Sequence, residues 1–200
     1  MAARAPASGG GLVTRIIAGF AGSISLAVPP SGTRPTSDRV REAIFSALDA
    51  RDALRGARVV DLYAGSGALG LEAASRGAAH VTLVDRSIQT ARRNIATVLA
   101  QAPSSAPVVV ASAQAVHPFL VAAHDTWDLA FLDPPYDLGE DELSHALEAL
   151  VPQLSPDAIV VVERSSRSPE PTLPAGLELD RRKAYGETAL YWISVADTAP

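Results

Sequence analysis

Val59-Val60-Asp61-Leu62-Tyr63-Ala64-Gly65-Ser66-Gly67-Ala68-Leu69-Gly70 reads as a buried strand that stops in a glycine-rich turn and continues as a helix. Residues 59–63 are apolar apart from one acid, as a strand covered on both faces requires. The glycines let the backbone turn sharply and let a ligand approach the next helix N-terminus. The pattern recurs downstream. Val81-Thr82-Leu83-Val84-Asp85, Val108-Val109-Val110, Leu129-Ala130-Phe131-Leu132 and Ile159-Val160-Val161-Val162 are further short apolar runs. Between them lie Ala68 to Arg76 closed by Gly77, Ser87 to Ala100 opening on a capping serine, the alanine-rich Ala113 to Ala123, and Asp141 to Leu150 with acids first, all helical patterns. Strands alternating with helices predict a doubly wound α/β sheet with right-handed crossovers and helices on both faces. Leu177 to Lys183 and Ala189 to Val195, joined around Tyr185-Gly186-Glu187, predict an antiparallel hairpin that completes a seven-stranded mixed sheet.

Upstream, Arg15-Ile16-Ile17-Ala18-Gly19 and Ser23-Ile24-Ser25-Leu26-Ala27 flank Phe20-Ala21-Gly22 as a second hairpin. A helix from Asp38 to Leu48 follows, capped by Ser37 or Thr36, with Val40, Ile44, Ala47 and Leu48 on one stripe. The chain therefore divides into a tail over 1–11, a hairpin-and-helix extension over 12–50, and a sheet domain over 51–200.

Two hundred residues, 48% apolar and 20% charged, suit one globular domain with an appendage. No apolar run approaches the ~20 residues of a membrane span, and the first ten residues lack an apolar stretch behind a basic start. A cytoplasmic protein that works as a monomer is expected. The absence of cysteine excludes disulfides, thiolate zinc sites and thiol nucleophiles. His80, His117, His124 and His145 show no metal-ligand spacing, so no metal is expected. Ser66 lacks the setting of a nucleophile elbow, and Trp127 and Trp192 read as packing residues.

Net charge is −5, unevenly spread. Residues 1–58 hold eight arginines against four acids, residues 59–163 four against thirteen, and residues 164–200 five bases against five acids. Local charge governs phosphate attraction, so Arg4, Arg15, Arg34, Arg39 and Arg41 are candidate contacts to a nucleic-acid backbone. Charge alone does not separate that role from a solvated surface.

Gly65-Ser66-Gly67-Ala68-Leu69-Gly70 matches the dinucleotide fingerprint, with Asp85 about twenty residues on as its ribose-binding acid would be. The turn alone does not choose between cofactors. Asp61, an anion inside the strand, tilts the choice: it is awkward beside a pyrophosphate and suits the cationic amino end of a methionine-like group. Asp133-Pro134-Pro135-Tyr136 then ends the fourth apolar run, where open α/β sheets bind ligands. Its prolines stop the strand and aim carbonyls outward. An aryl amine is a poor nucleophile because its lone pair is delocalised into the ring. Asp133 and the Pro134 carbonyl, accepting both N–H bonds, would draw that lone pair toward an electrophilic methyl, while Tyr136 stacks on the base.

With these motifs the chain resembles the Rossmann-like S-adenosylmethionine-dependent methyltransferases that act on exocyclic amines. Among them it is most similar to the bacterial enzymes of the RsmD family, which methylate guanine N2 in 16S ribosomal RNA. The likeness spans about residues 14 to 195. It rests on Arg15 to Gly19, on Thr33-Arg34-Pro35-Thr36-Ser37-Asp38-Arg39-Val40-Arg41-Glu42-Ala43-Ile44-Phe45, on Asp61 to Gly67, on Asp133 to Tyr136, and on Lys183-Ala184-Tyr185-Gly186-Glu187-Thr188. The resemblance implies S-adenosylmethionine as cofactor, S-adenosylhomocysteine as product, and 16S rRNA or the assembled small subunit as partner. It implies that Asp61, Gly65 and Gly67 hold the methionine end, that Asp85 binds the ribose hydroxyls, that Tyr63, Ala64, Arg86, Ser112 and Ala113 also contact the cofactor, and that Asp133, Pro134, Pro135 and Tyr136 position the amine. After the third strand such enzymes commonly carry an acid at adenine, whereas this chain has Ser112-Ala113. An adenine-N6 DNA methyltransferase is the second reading; a nicotinamide-dependent oxidoreductase or a non-catalytic nucleic-acid binder is the third.

Overall fold

A computed structural model describes residues 14–29 and 37–196. The parallel strands β3 (Arg58–Leu62), β4 (His80–Asp85), β5 (Val108–Ala113), β6 (Trp127–Leu132) and β7 (Leu154–Ser165) pair with the antiparallel β9 (Thr188–Val195) and β8 (Leu177–Tyr185) in the order β5-β4-β3-β6-β7-β9-β8. The two-stranded sheet of β1 (Thr14–Arg15) and β2 (Ser25–Leu26) precedes them. The chain first builds outward from β3 through β4 to β5, then crosses back to β6 on the other side of β3. That reversal leaves a crevice at the carboxyl ends of β3 and β6, the usual ligand position in such sheets.

Alternate residues of each central strand face different cores. Val59, Leu129, Phe131 and Val161 point to the side covered by α1 (Asp38–Asp49), α2 (Ala68–Ser75) and α3 (Gln89–Leu99). Val60, Leu62, Ala130, Leu132, Val160 and Val162 face α4 (Val116–Ala122) and α5 (Glu140–Leu150). Burial on both faces is why these strands appear as continuous apolar runs. Phe45 of α1 meets Phe131 of β6 with ring centroids 5.7 Å apart. Trp127 and Trp192 are fully buried packing residues, Trp127 against Phe119.

Four local expectations change. Val108-Val109-Val110 belongs to an edge strand, with Val108 53% exposed; a valine run looks alike in sequence whether one neighbour covers it or two. Ser87 does not cap α3, whose N-cap is Ile88 without a side-chain bond. Ala113 ends β5, so α4 starts only at Val116. The first hairpin pairs just two residues per strand, extended by the Ile16 N–H donating to the Ile24 carbonyl and the Ser23 N–H donating to the Ile16 carbonyl. Ser37 caps α1 through the Val40 N–H, 3.3 Å away.

The extension is fastened to the sheet domain by buried polar groups. Glu72 of α2, fully buried, accepts the N–H groups of Ile17 (2.6 Å) and Ala18 (3.0 Å), while Arg76 donates to it. Ser75 accepts from Ala21 and donates to the Ala18 carbonyl. Bonds to a buried carboxylate are about twice as strong as neutral ones, so α2 fixes where the chain re-enters beside the crevice. Among the described residues no helix is long and apolar enough to cross a membrane.

Candidate active site

The carboxyl ends of β4, β3 and β6 each deliver an aspartate: Asp85, Asp61 and Asp133. Asp61 is 1% exposed within β3, and its Oδ2 accepts the Gly70 N–H at 2.8 Å. Asp85 accepts the Gly65 N–H at 2.9 Å and the Ser87 N–H at 2.8 Å, tying the glycine turn to the start of α3. The turn itself divides its glycines by task. Gly67 has φ +79°, and a Cβ there would stand 2.8 Å from Leu83 Cδ1, so it seats α2 on β4. Gly65 has φ +54° with nothing within 4 Å of where a Cβ would be, leaving bare backbone at the cavity wall.

That cavity, about 560 Å³, opens between the glycine turn and the loop after β6. Its size is that of a small-ligand site. Asp61, Asp85, Asp133, Asp137 and Glu142 line it, against Arg86 as the cation. Such a wall suits a positively charged ligand and opposes a pyrophosphate. Burial pushes the Asp61 carboxyl up to about 7; the Gly70 N–H opposes the rise, and the Asp133 and Asp85 charges add to it. Burial, with Glu142 adding, pushes the Tyr63 phenol up to about 12, so it stays a donor at neutral pH. Tyr63 also holds φ +64°, a strained state for an aromatic residue that clusters at functional sites.

Of the sequence-predicted cofactor residues, Asp61, Tyr63, Ala64, Gly65, Asp85 and Arg86 line the cavity, together with Asp133 and Pro135. Gly67 lies behind the wall. Ser112 and Ala113 do not reach it; Gln114 does, its amide donating to Ser112 Oγ at 2.9 Å. The apolar run ends at Val110 but β5 continues to Ala113, which moves the ligand-facing position further along than the run suggests. Val28 and Pro29 form another wall that sequence reading missed. Asn94 holds them there, accepting the Ala27 N–H and donating to the Ala27 and Ser66 carbonyls. A lone asparagine inside the apolar stripe of α3 is the one sequence signal of that contact.

Asp133 belongs to two surfaces. It lines the large cavity and also a shallow crevice shared with Pro134, Tyr136 and Glu163. Tyr136 is 63% exposed at the mouth, a flat apolar face open to solvent. Of the basic candidates, Arg15 and Arg39 are exposed, and Arg34 lies outside the described residues, as does Arg4. Arg41 is a correction. Its side chain is fully buried, donating to the Arg15 carbonyl (2.8 Å) and to Asp38 (2.6 Å), so it fastens α1 to the hairpin instead of facing phosphate. His117 and His145 lie edge to face, 6.3 Å apart. Among the described residues no group of acids and histidines is placed to hold a metal.

The family model described as "Conserved hypothetical protein 95" matches residues 14–194. The "Ribosomal RNA small subunit methyltransferase D" of Escherichia coli (strain K12) is 39% identical over 186 residues, covering 91% of this chain and 89% of that one. The solved structure of the Escherichia coli protein yhhF superposes with TM-score 0.76 at 32% identity, over 92% of this chain and 98% of that one. Magnesium protoporphyrin IX methyltransferase from Synechocystis PCC 6803, solved with bound SAM, shares the fold at TM-score 0.61 and 16% identity, over 82% and 87% of the two chains.

Proposed function

The chain belongs to the conserved hypothetical protein 95 family, and on that premise we propose that it methylates the exocyclic N2 amine of a guanine in 16S ribosomal RNA. The observation that carries the reading is the double placement of Asp133, on the wall between a cofactor-sized acidic cavity and the crevice beside Tyr136. One residue there can touch both reacting partners. The residues present fit S-adenosylmethionine: buried Asp61 for a cationic amino end, open backbone at Gly65, and Asp85 and Gln114 along the nucleoside side. When bound, that cofactor supplies an electrophilic methyl on a sulfonium sulfur.

The chain's residues do the rest. Tyr136 offers its exposed ring as a platform for a base lifted from the RNA. Asp133 and the Pro134 carbonyl accept the two amine N–H bonds, turning the nitrogen lone pair out of the ring and toward the cavity. Positive charge develops on that nitrogen as the new bond forms, and a fixed carboxylate stabilises it more than it stabilises the ground state. The Asp133 carboxylate is then placed to take the proton the amine releases. Exposed Arg15 and Arg39 would meet phosphate, and the enzyme would act as a single chain on rRNA or the assembled subunit. Nucleoside mass spectrometry of ribosomal RNA from cells lacking the gene tests the reading: N2-methylguanosine in 16S rRNA is expected to fall by one per molecule and return with the gene. An unchanged level, or a loss of N6-methyladenine from DNA instead, rejects it.

The acidic wall makes binding pH-dependent. A raised carboxyl is protonated below about 7 in the free protein, and a cationic amino group needs it ionised. Affinity for S-adenosylhomocysteine is therefore expected to rise as pH climbs from 6 toward about 7, approaching about tenfold per unit at the low end, and to level off above. Titration calorimetry on wild type and Asp61→Asn checks this: the slope should vanish in the variant. An equal slope in both places the titrating group elsewhere.

A further inference from the structure

We propose that Glu163 is the residue that selects guanine, by accepting the N1–H of the target base while its N2 amine lies against Asp133. The inference rests on the amine-methylation reading above and goes further by assigning the base-reading group. Leu132 of β6 registers with Val162 of β7, strands that lie about 4.8 Å apart, so Asp133, directly after β6, and Glu163, within β7, each stand one residue beyond that pair. Phe131 and Val161 face the α1 side, Leu132 and Val162 the α5 side; alternation returns Asp133 and Glu163 together to the α1 side.

Glu163 is 9% exposed, yet it lines the shallow crevice with Asp133, Pro134 and Tyr136. That crevice, about 10 Å³, is too small to enclose a base, so a base resting on Tyr136 would meet it edge-on. Arg164, the next residue, lines the same crevice, while its guanidinium donates to the Leu138 carbonyl at 3.3 Å and pairs with Glu140. Two carboxylates, with Arg164 beside them, thus line the crevice that the edge of a base held on Tyr136 would meet.

Base chemistry makes that pair selective. Guanine carries two adjacent donors on its Watson–Crick edge, the N1–H and the N2 amine. Adenine carries an amine beside a bare N1 lone pair. As a carboxylate Glu163 only accepts, so in that form it would bond guanine N1–H and repel adenine N1.

The test uses 16S rRNA carrying either guanine or 2-aminopurine at the methylated position, made by splinted ligation and assembled into subunits. 2-Aminopurine keeps the 2-amine but has a lone pair at N1. Wild type is expected to favour guanine in kcat/KM by about 10-fold or more. Glu163→Gln, whose amide can donate to N1, should lose about 10- to 100-fold on guanine and narrow or reverse the preference. Its S-adenosylhomocysteine affinity should stay near wild type, reporting an intact fold. A Glu163→Gln enzyme with the wild-type preference ratio overturns the assignment, because a merely structural glutamate would slow both substrates alike. Wild type treating the two bases equally overturns it even if the variant does not fold. Failure of wild type to methylate guanine at all removes the underlying reading, and this inference with it.

Discussion

Asp133→Ala is expected to lower the single-turnover methyl-transfer rate by about 10²–10³-fold while S-adenosylhomocysteine binding survives. The magnitude is that of removing one fixed group aimed at charge developing in a transition state. Asp133 lies where the cofactor-sized cavity and the crevice meet, so its loss leaves both binding surfaces but removes the acceptor between them. Substrate affinity should change less than rate, because the bond strengthens as the nitrogen becomes positive. A second readout comes from the same substitution. The Asp133 charge helps hold the Asp61 carboxyl up near 7; without it, Asp61 ionises at lower pH, and the rise of cofactor affinity should move to lower pH with it. Rates on subunits from cells lacking the gene, with calorimetry across pH 5.5–8, measure both. Full activity in Asp133→Ala would falsify the amine-polarising mechanism.

The inner strands β3, β4 and β6 were legible because each is covered on both faces, which leaves mostly apolar residues between the turns. The glycine turn was legible for a different reason: Gly65 and Gly67 adopt positive φ, and a side chain at Gly67 would strike Leu83. Asp61 stood out as a charge where a buried strand tolerates none without a purpose. What stayed hidden depends on distant partners. Arg41 and Arg39 are two residues apart on α1, yet one is buried against the Arg15 carbonyl and the other is exposed; a charge count treats them alike. Glu72 looks like a surface residue of an alanine-rich helix until residues 17 and 18 arrive, 55 and 54 positions earlier in the chain, to donate to it. Gln114 was missed in favour of Ser112-Ala113 because the cavity-facing position depends on where β5 ends, and its last residues, Ala111-Ser112-Ala113, lie beyond the valine run that marks the strand. Asp85 was expected at the ribose or capping a helix. In the structure it lines the cavity and also accepts from Gly65 and from Ser87 at the entry of α3, a tie between two loops that neither shows alone.

Tyr136 should separate capture of the base from chemistry on it. Its ring is 63% exposed beside Asp133, with Pro134 and Pro135 fixing the backbone that carries it. An exposed aromatic on a rigid loop contributes little to folding, so Tyr136→Ala should unfold at nearly the wild-type temperature. It should nonetheless lose about 1–3 kcal/mol of affinity for the target base, the range for stacking of a single-stranded base on an aromatic ring. At 1.4 kcal/mol per tenfold, that is roughly 5- to 150-fold in KM, with a smaller change in the rate at saturation. Tyr136→Phe keeps the π-face and loses only the hydroxyl, so it should stay close to wild type. The two substitutions together locate the interaction: a Phe variant as impaired as the Ala variant assigns the role to the hydroxyl. An Ala variant with unchanged KM means that the base is held elsewhere, and then Asp133 has no amine placed against it. Base capture at Tyr136 and polarisation at Asp133 therefore stand on one geometric premise, and the Tyr136 pair examines it without touching the chemistry.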